Sequence, residues 1–148
     1  MTIELNDIAM GYVADGLRNE PSNTDLLLTK AFIHLKKREC SQSAEEVARA
    51  VSIRQDMDTY KRGGLILYEC GNFRGALRLL KDLHMVFPEH RTTTIKMAWS
   101  YFYLNQNDEA RSLAQEVLAI RPRRESHSDY DNLMSAQRLL GILDRREI

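Results

Sequence analysis

The chain has 148 residues, of which 43% are hydrophobic, and it carries 21 basic and 21 acidic side chains. This length predicts a single domain with a sizeable core. A net charge of zero excludes a general attraction to nucleic acid or to an anionic membrane surface.

The termini and the cysteines favour a cytoplasmic protein. The N-terminus lacks the basic segment that begins a signal peptide, and no apolar stretch approaches the roughly 20 residues that cross a bilayer. Cys40 and Cys70 are too few for a disulfide framework in a chain of this length. We therefore expect two reduced thiols and a cytoplasmic location.

The first elements are helical but irregular. Residues 3–22 read as half of a helix pair, which Pro21 ends. Residues 24–56 read as a complete but degenerate pair, in which Ala31 and Ala44 are the small residues. The segment KKREC at 36–40 has no glycine, so we expect an irregular turn between these two helices.

The next two segments, 57–90 and 91–124, repeat one pattern at an interval of 34 residues. Apolar residues recur with a helical period in both, and the polar turns 70–72 and 105–107 divide each into two helices. Gly71 and Asn105 in these turns suit the left-handed conformation that ends a helix. Three further pairs of landmarks are 34 residues apart: Gly64 and Ala98, Ala76 and Ala110, Pro88 and Pro122.

The last segment, residues 129–144, reads as a capping helix. Ala136 fits the position of the small residue that packs inward. A stack of repeats needs a polar outer face on its last helix. Five side chains are expected to form that face: Asp129, Asp131, Gln137, Arg138 and Asp144.

This 34-residue pattern of small residues, alanine and proline resembles the tetratricopeptide repeat (TPR). The resemblance implies an all-α fold, a short right-handed TPR-like solenoid of about seven antiparallel helices with a C-terminal capping helix. It also implies a non-enzymatic protein that binds other proteins.

In the TPR family the first helix of each repeat lines a concave groove. The corresponding positions include the only tryptophan of the chain. The apolar side chains at these positions would form one connected apolar strip. An exposed strip of this kind predicts a site for an apolar helix or peptide of a partner protein. The predicted partner-binding residues are Phe32, Leu35, Leu65, Tyr68, Ile95, Trp99, Phe102 and Tyr103.

Two alternatives remain for this strip. The terminal segment 125–148 or the N-terminal helix would cover it within one chain, or a second copy would pack on it and form a homo-oligomer. The chain would then be a structural subunit that self-associates through the same surface.

An apolar groove on a small TPR protein is also similar to the chaperones of bacterial type III secretion systems. Those chaperones hold a hydrophobic segment of a secreted subunit before export. The resemblance implies a chaperone that keeps such a segment soluble. The neutral charge departs from their usual acidic character.

The remaining motifs carry little chemistry. The basic loop RPRR at 121–124 is a less favoured alternative site, which would bind nucleic acid. The neutral charge of the whole chain argues against this function. The histidines and cysteines lack metal-site spacing, and no phosphate-binding loop occurs. We therefore predict no catalytic residue, no metal and no cofactor, and no insertion into a membrane.

Overall fold

The computed structural model describes residues 2–120 and 127–146, which form eight α-helices and contain no strand. The all-α prediction is confirmed, with one helix more than the expected seven. The helices are α1 (Thr2–Asn19), α2 (Thr24–Lys36), α3 (Cys40–Ile53), α4 (Met57–Glu69), α5 (Phe73–Val86), α6 (Arg91–Tyr103), α7 (Asn107–Ala119) and α8 (His127–Arg146).

The helices fall into two compact units, Met1–Asn72 and Phe73–Ile148. The division lies inside the predicted repeat 57–90. The single domain and the repeat boundaries expected from the sequence therefore stay predictions.

In the first unit α2 is the central helix. It packs against α1, α3 and α4, and α3 also packs against α4. Most of the residues that α2 and α3 bury are small or aliphatic, such as Leu27, Ala31, Val47 and Ala50. Close packing of this kind needs small side chains where two helix backbones approach. The buried Glu46 of α3 is paired with Lys30 of α2 at 3.1 Å.

In the second unit α6 packs against α5, α7 and α8, and α7 packs against α8. Arg91, at the start of α6, is buried and donates a hydrogen bond to the carbonyl oxygen of Ile120 after α7. Its guanidinium also lies 3.4 Å from a carboxylate oxygen of Asp129 in α8. One buried arginine thus connects three helices, and the repeat pattern did not predict it.

Three helix pairs turn at one equivalent position. Arg38, Gly71 and Asn105 have positive φ angles of 61°, 79° and 61°. Each donates its N–H to the carbonyl oxygen three residues earlier, and the next residue donates to the carbonyl five residues before it. The expectation of an irregular turn at 36–40 is therefore wrong, because Arg38 adopts the same left-handed conformation as Gly71.

Three helices begin with a side-chain cap. Asn23 and Asp56 accept hydrogen bonds from the backbone N–H groups of Leu26 and Thr59, at 3.1 and 2.9 Å. His90 accepts one from Thr93 at 3.4 Å. These caps satisfy N–H groups that the first turn of a helix leaves unpaired, and so they fix where α2, α4 and α6 begin.

Cys40 and Cys70 are joined by a disulfide, so the expected pair of reduced thiols is wrong. Their Cα atoms are 5.7 Å apart, although 30 positions separate the residues in the sequence. Cys40 begins α3 and Cys70 follows α4, and the packing of these two helices brings the thiols together. The number of cysteines alone did not reveal this proximity.

Candidate functional site

The first unit has a pocket of about 300 Å³ between α2 and α4. Its lining is mainly aliphatic and aromatic, with charged residues at the rim. The lining residues are Leu28, Thr29, Phe32, Leu35, Arg62, Leu65, Ile66 and Glu69. Three of the predicted binding residues, Phe32, Leu35 and Leu65, are therefore in one pocket.

The pocket combines a buried floor with an exposed aromatic edge. Leu28, Leu35 and Ile66 are buried, whereas the Phe32 side chain is 46% exposed. The ammonium group of Lys36 lies 4.9 Å from the centre of the Phe32 ring, which is within the range of a cation–π contact. A large apolar side chain that remains this exposed can bury further area when another molecule contacts it.

Arg62 is already neutralised at the rim of the pocket. Its guanidinium lies 2.8 Å from the Asp25 carboxylate of α2 and 3.6 Å from the Asp58 carboxylate of α4. Arg62 was not among the binding residues predicted from the sequence. The spacing of Asp58 and Arg62, one helical turn apart, is the signal that could have found this pair.

Tyr68, the fourth predicted residue of this unit, is half-buried near the end of α4 and does not line the pocket. Its role at a partner surface stays a prediction.

The second unit places two of its four predicted residues inside its core. Ile95 and Phe102 are buried among apolar side chains of α7 and α8, including Ala114 and Leu139. The guanidinium of Arg146 lies 4.6 Å from the centre of the Phe102 ring. The expectation that Ile95 and Phe102 face a partner is therefore not met.

The other two predicted residues reach the surface. Trp99 is half-buried and Tyr103 is 52% exposed. Tyr103 stacks on Phe73 with ring centres 4.7 Å apart, and Trp99 lies 5.9 Å from the Tyr103 ring. These contacts form an aromatic cluster in which Tyr103 is the most accessible member.

Helix α8 explains the burial in this unit. The indole N–H of Trp99 donates a hydrogen bond to the Ser135 hydroxyl at 2.7 Å, and Asn132 donates to the Thr92 hydroxyl at 3.0 Å. Helix α8 thus covers part of α6. This agrees with the alternative in which the C-terminal segment covers the strip within one chain. The single connected strip across all eight residues stays a prediction.

Other kinds of site find little support in the part of the chain that the structure describes. No group of three histidine, cysteine or acidic side chains is close enough to hold a metal ion there. None of the described helices has the length and apolar character needed to cross a membrane. The basic loop 121–124 lies outside the described residues, so nucleic-acid binding through it stays an untested alternative.

Comparison with known proteins agrees with this architecture. Residues 92–123 match a family described as tetratricopeptide repeat. The fold is similar to that of a crystal structure of MamA, with a TM-score of 0.66 over 89% of this chain and 77% of that one, at 16% sequence identity. No curated protein sequence matches the chain. The resemblance to TPR proteins and the TPR-like fold are therefore confirmed.

Proposed function

We propose that this chain, which carries a tetratricopeptide repeat, is a non-enzymatic interaction module that binds an apolar helix of a partner protein. The binding site would be the pocket between α2 and α4, with Phe32 as its accessible anchor. This pocket is the observation that carries the proposal. TPR proteins typically act as scaffolds for protein contacts, which agrees with a module that has no catalytic role.

The size and lining of the pocket favour side chains of a protein over a cofactor. Ligand sites in proteins span about 300 to 1,000 Å³, so this pocket is at the lower limit. An amphipathic helix presents apolar residues at intervals of three and four, and one or two of them would fill the pocket. Full burial of an aromatic side chain such as Phe32 contributes about 1.5–3 kcal/mol.

The charges at the rim argue against a partner held by its terminal carboxylate. Arg62 is a basic side chain at the pocket, and it is already paired with Asp25 and Asp58. A ligand carboxylate would have to displace these partners and would find Glu69 beside it. Apolar contacts therefore supply the affinity in this proposal, and the rim charges adjust orientation and rate of association.

The test uses a synthetic amphipathic helix with leucines at positions i, i+3, i+4 and i+7, and a scrambled peptide of equal composition. Fluorescence anisotropy measures the affinity for the wild type, for Phe32→Ala and for Ile53→Ala. Phe32 and Ile53 are both 46% exposed, but only Phe32 lines the pocket. Phe32→Ala should weaken binding by about 2 kcal/mol, close to 30-fold.

Ile53→Ala should change the affinity by less than about twofold, because scattered surface contacts contribute little. Equal affinities for Phe32→Ala and the wild type, with unchanged circular dichroism, would contradict the proposal. Binding of the scrambled peptide as tightly as the helix would also contradict it.

Trp99 and Tyr103 are proposed as additional anchors in the second unit. Tyr103→Ala is the cleaner test of this role, because its side chain is more than half exposed. Trp99→Ala would also remove the hydrogen bond to Ser135 and so confuse stability with binding. A reduction in peptide affinity with Tyr103→Ala at unchanged stability would support the second site.

A narrower hypothesis is that the module is a chaperone of the type III secretion kind, located in the cytoplasm. Such a chaperone suppresses aggregation of an apolar segment before export. Light scattering of an aggregating amphipathic peptide, with and without the protein, tests this activity. A chaperone delays scattering at a one-to-one ratio, whereas Phe32→Ala does so less effectively.

A further inference from the structure

The disulfide between Cys40 and Cys70 adjoins the pocket that the proposed function uses. Cys70 directly follows Glu69, which lines the pocket, and its backbone N–H donates a hydrogen bond of 3.1 Å to the carbonyl oxygen of Ile66, another lining residue. Cys40 begins α3 just after the turn that follows α2, the helix that carries the lining residue Leu35. The bond therefore joins the two chain segments that lead out of the two walls of the pocket.

An ion pair and the disulfide both connect α4 to the helices that precede it. The guanidinium of Arg62, in the middle of α4, lies 2.8 Å from the Asp25 carboxylate, but most of the Asp25 side chain is exposed, and exposed ion pairs contribute little. The disulfide acts at the C-terminal end of α4 and is covalent. It is therefore the stronger of these two links, and it holds the end of the pocket wall.

The disulfide is also accessible to small thiols. Cys40 and Cys70 are both half-buried, so their sulfur atoms are not sealed inside the core of the first unit. Gly71, directly after Cys70, has open space beside it, since no neighbouring atom lies within 4 Å of the place of a Cβ atom. Access is one of the conditions for exchange between a disulfide and a thiol, and this bond meets it.

The two cysteines lie at opposite kinds of helix end. Cys40 is the first residue of α3, whose N-cap residue Glu39 makes no side-chain capping hydrogen bond. The N–H groups of this first turn stabilise a negative charge, so the thiolate of Cys40 is a good leaving group. The Glu39 carboxylate opposes this effect little, because Lys37 pairs with it at 3.3 Å. Cys70 follows the carbonyl end of α4, which does not stabilise an anion.

We propose that the disulfide between Cys40 and Cys70 is a redox switch that controls the affinity of the pocket for its partner helix, an inference that rests on the proposed function. In the oxidised form the bond holds the end of α4, and a preformed pocket binds with little loss of conformational freedom. In the reduced form this end of α4 moves more freely, and ordering it again on binding lowers the affinity.

The reductant in this proposal is a dithiol. One of its thiolates attacks the Sγ atom of Cys70, the S–S bond breaks, and Cys40 leaves as a thiolate. The second thiolate of the reductant then attacks the reductant's own sulfur in the mixed disulfide and releases Cys70. Two electrons pass to the protein, the reductant becomes a disulfide, and the two protons that it loses are taken up by the two cysteine sulfurs.

The order of attack is tested with a monothiol. Brief reaction with glutathione, acid quenching and mass spectrometry should locate the mixed disulfide on Cys70, because Cys40 is the better leaving group. Glutathione found mainly on Cys40 would overturn this order.

Fluorescence anisotropy with the amphipathic leucine peptide tests the switch. Reduction of the wild type by dithiothreitol should weaken binding at least about fivefold, and reoxidation should restore it. The Cys40→Ser/Cys70→Ser double variant should bind like the reduced wild type and should not respond to the reductant. Equal affinities of the oxidised and reduced wild type would overturn the proposal.

A control variant separates the position of α4 from the general stability of the first unit. Val47 is buried in α3 and does not line the pocket. Val47→Ala destabilises the fold by leaving a cavity but keeps the disulfide. In the oxidised form it should bind the peptide within about twofold of the wild type. Weak binding by this variant, with the circular dichroism of a folded protein, would show that affinity follows stability and would overturn the proposal.

Hydrogen exchange of the free protein distinguishes a failed switch from a failed binding site. Reduction should speed the exchange of the backbone N–H groups of residues 66–72 at least about tenfold and leave those of Leu27 and Ala31 nearly unchanged. Equal exchange at the end of α4 in the two forms would overturn the switch. If neither form binds the peptide, the proposed function fails, and the exchange data alone decide whether reduction frees α4.

Discussion

The hydroxyl of Ser43 donates a hydrogen bond of 2.7 Å to the carbonyl oxygen of Ala31, and neither residue is accessible to solvent. Ser43 occupies the position at which α5 and α7 carry Ala76 and Ala110. The sequence reading assigned this position to Ala44, one residue later, and that assignment is wrong. A serine fits here because it is nearly as small as alanine and its hydroxyl has a partner.

Two substitutions separate size from hydrogen bonding at Ser43. Ser43→Ala should lower the free energy of unfolding by about 1 kcal/mol, since only the hydrogen bond is lost. Ser43→Val should lower it by about 1–3 kcal/mol, because the two helices cannot separate to admit more atoms. Urea denaturation measures both. Ala44→Ser, at a half-buried position, is the control and should change stability by less than about 0.5 kcal/mol.

The repeat could be read from the sequence because its landmarks follow from packing. Ala98 and Ala110 are fully buried, so their size was constrained and their spacing was regular. Positions that tolerate several residue types were harder to assign. A turn needs only one residue with positive φ, and Arg38 fulfils that need as Gly71 does, without any signal in its residue type.

Replacing Arg38 by glycine should stabilise the protein. A residue with a Cβ atom in the left-handed region costs roughly 1–2 kcal/mol, whereas glycine adopts it readily. The greater freedom of glycine in the unfolded chain offsets part of this gain, so we expect about 0.5–1 kcal/mol. Urea denaturation with an unchanged m-value measures it.

The equivalent change in the opposite direction is the control. Gly71→Ala places a Cβ atom at a φ of 79° where no neighbouring atom lies within 4 Å, so any effect comes from the backbone alone. It should destabilise by about 1 kcal/mol. Destabilisation by Arg38→Gly would show that the arginine side chain contributes more than its conformation costs.

Three of the eight residues that line the pocket were among those predicted from the sequence, and their role in binding stays a prediction. Phe32, Leu35 and Leu65 could be named because they lie on the first helices of the predicted pairs. The burial of Ile95 and Phe102 depends on α8, whose packing is a tertiary contact that the spacing of one repeat does not encode. The neutralised charge of Arg62 likewise depends on Asp25, which is 37 residues away in the sequence.

Asp56 makes the stability of the folded protein depend on pH in the acidic range. The backbone N–H of Thr59 donates a hydrogen bond to its carboxylate and lowers the pKa of that group below 3.8, with further contributions from the Thr59 hydroxyl and from Arg54. A lowered pKa means that the folded state binds the proton less readily than the unfolded chain. The contribution of Asp56 is therefore complete above about pH 4 and is lost as the pH falls through the lowered pKa.

Asp56→Asn isolates this effect, because asparagine caps a helix equally well but does not titrate in this range. The variant should lose less stability than the wild type between pH 5 and pH 3, and thermal unfolding at several pH values measures the difference. Identical pH profiles for the two proteins would show that the cap does not distinguish the charged from the neutral carboxyl group.

The disulfide between Cys40 and Cys70 should stabilise the first unit substantially. It closes a loop across a sequence separation of 30, and the chain-entropy estimate for such a loop is about 3–4 kcal/mol. Dithiothreitol should therefore lower the urea midpoint of the wild type. A Cys40→Ser/Cys70→Ser double variant should start lower and should not respond to the reductant.

The same bond bears on the cellular location. Disulfides persist in oxidising compartments, whereas the cytoplasm keeps most thiols reduced. Trapping of free thiols with an alkylating reagent in intact cells, followed by mass spectrometry of the two cysteines, measures the state directly. A cytoplasmic protein should show both thiols alkylated and a stability close to that of the double variant. Protected cysteines would place the chain in an oxidising compartment and would contradict the cytoplasmic prediction.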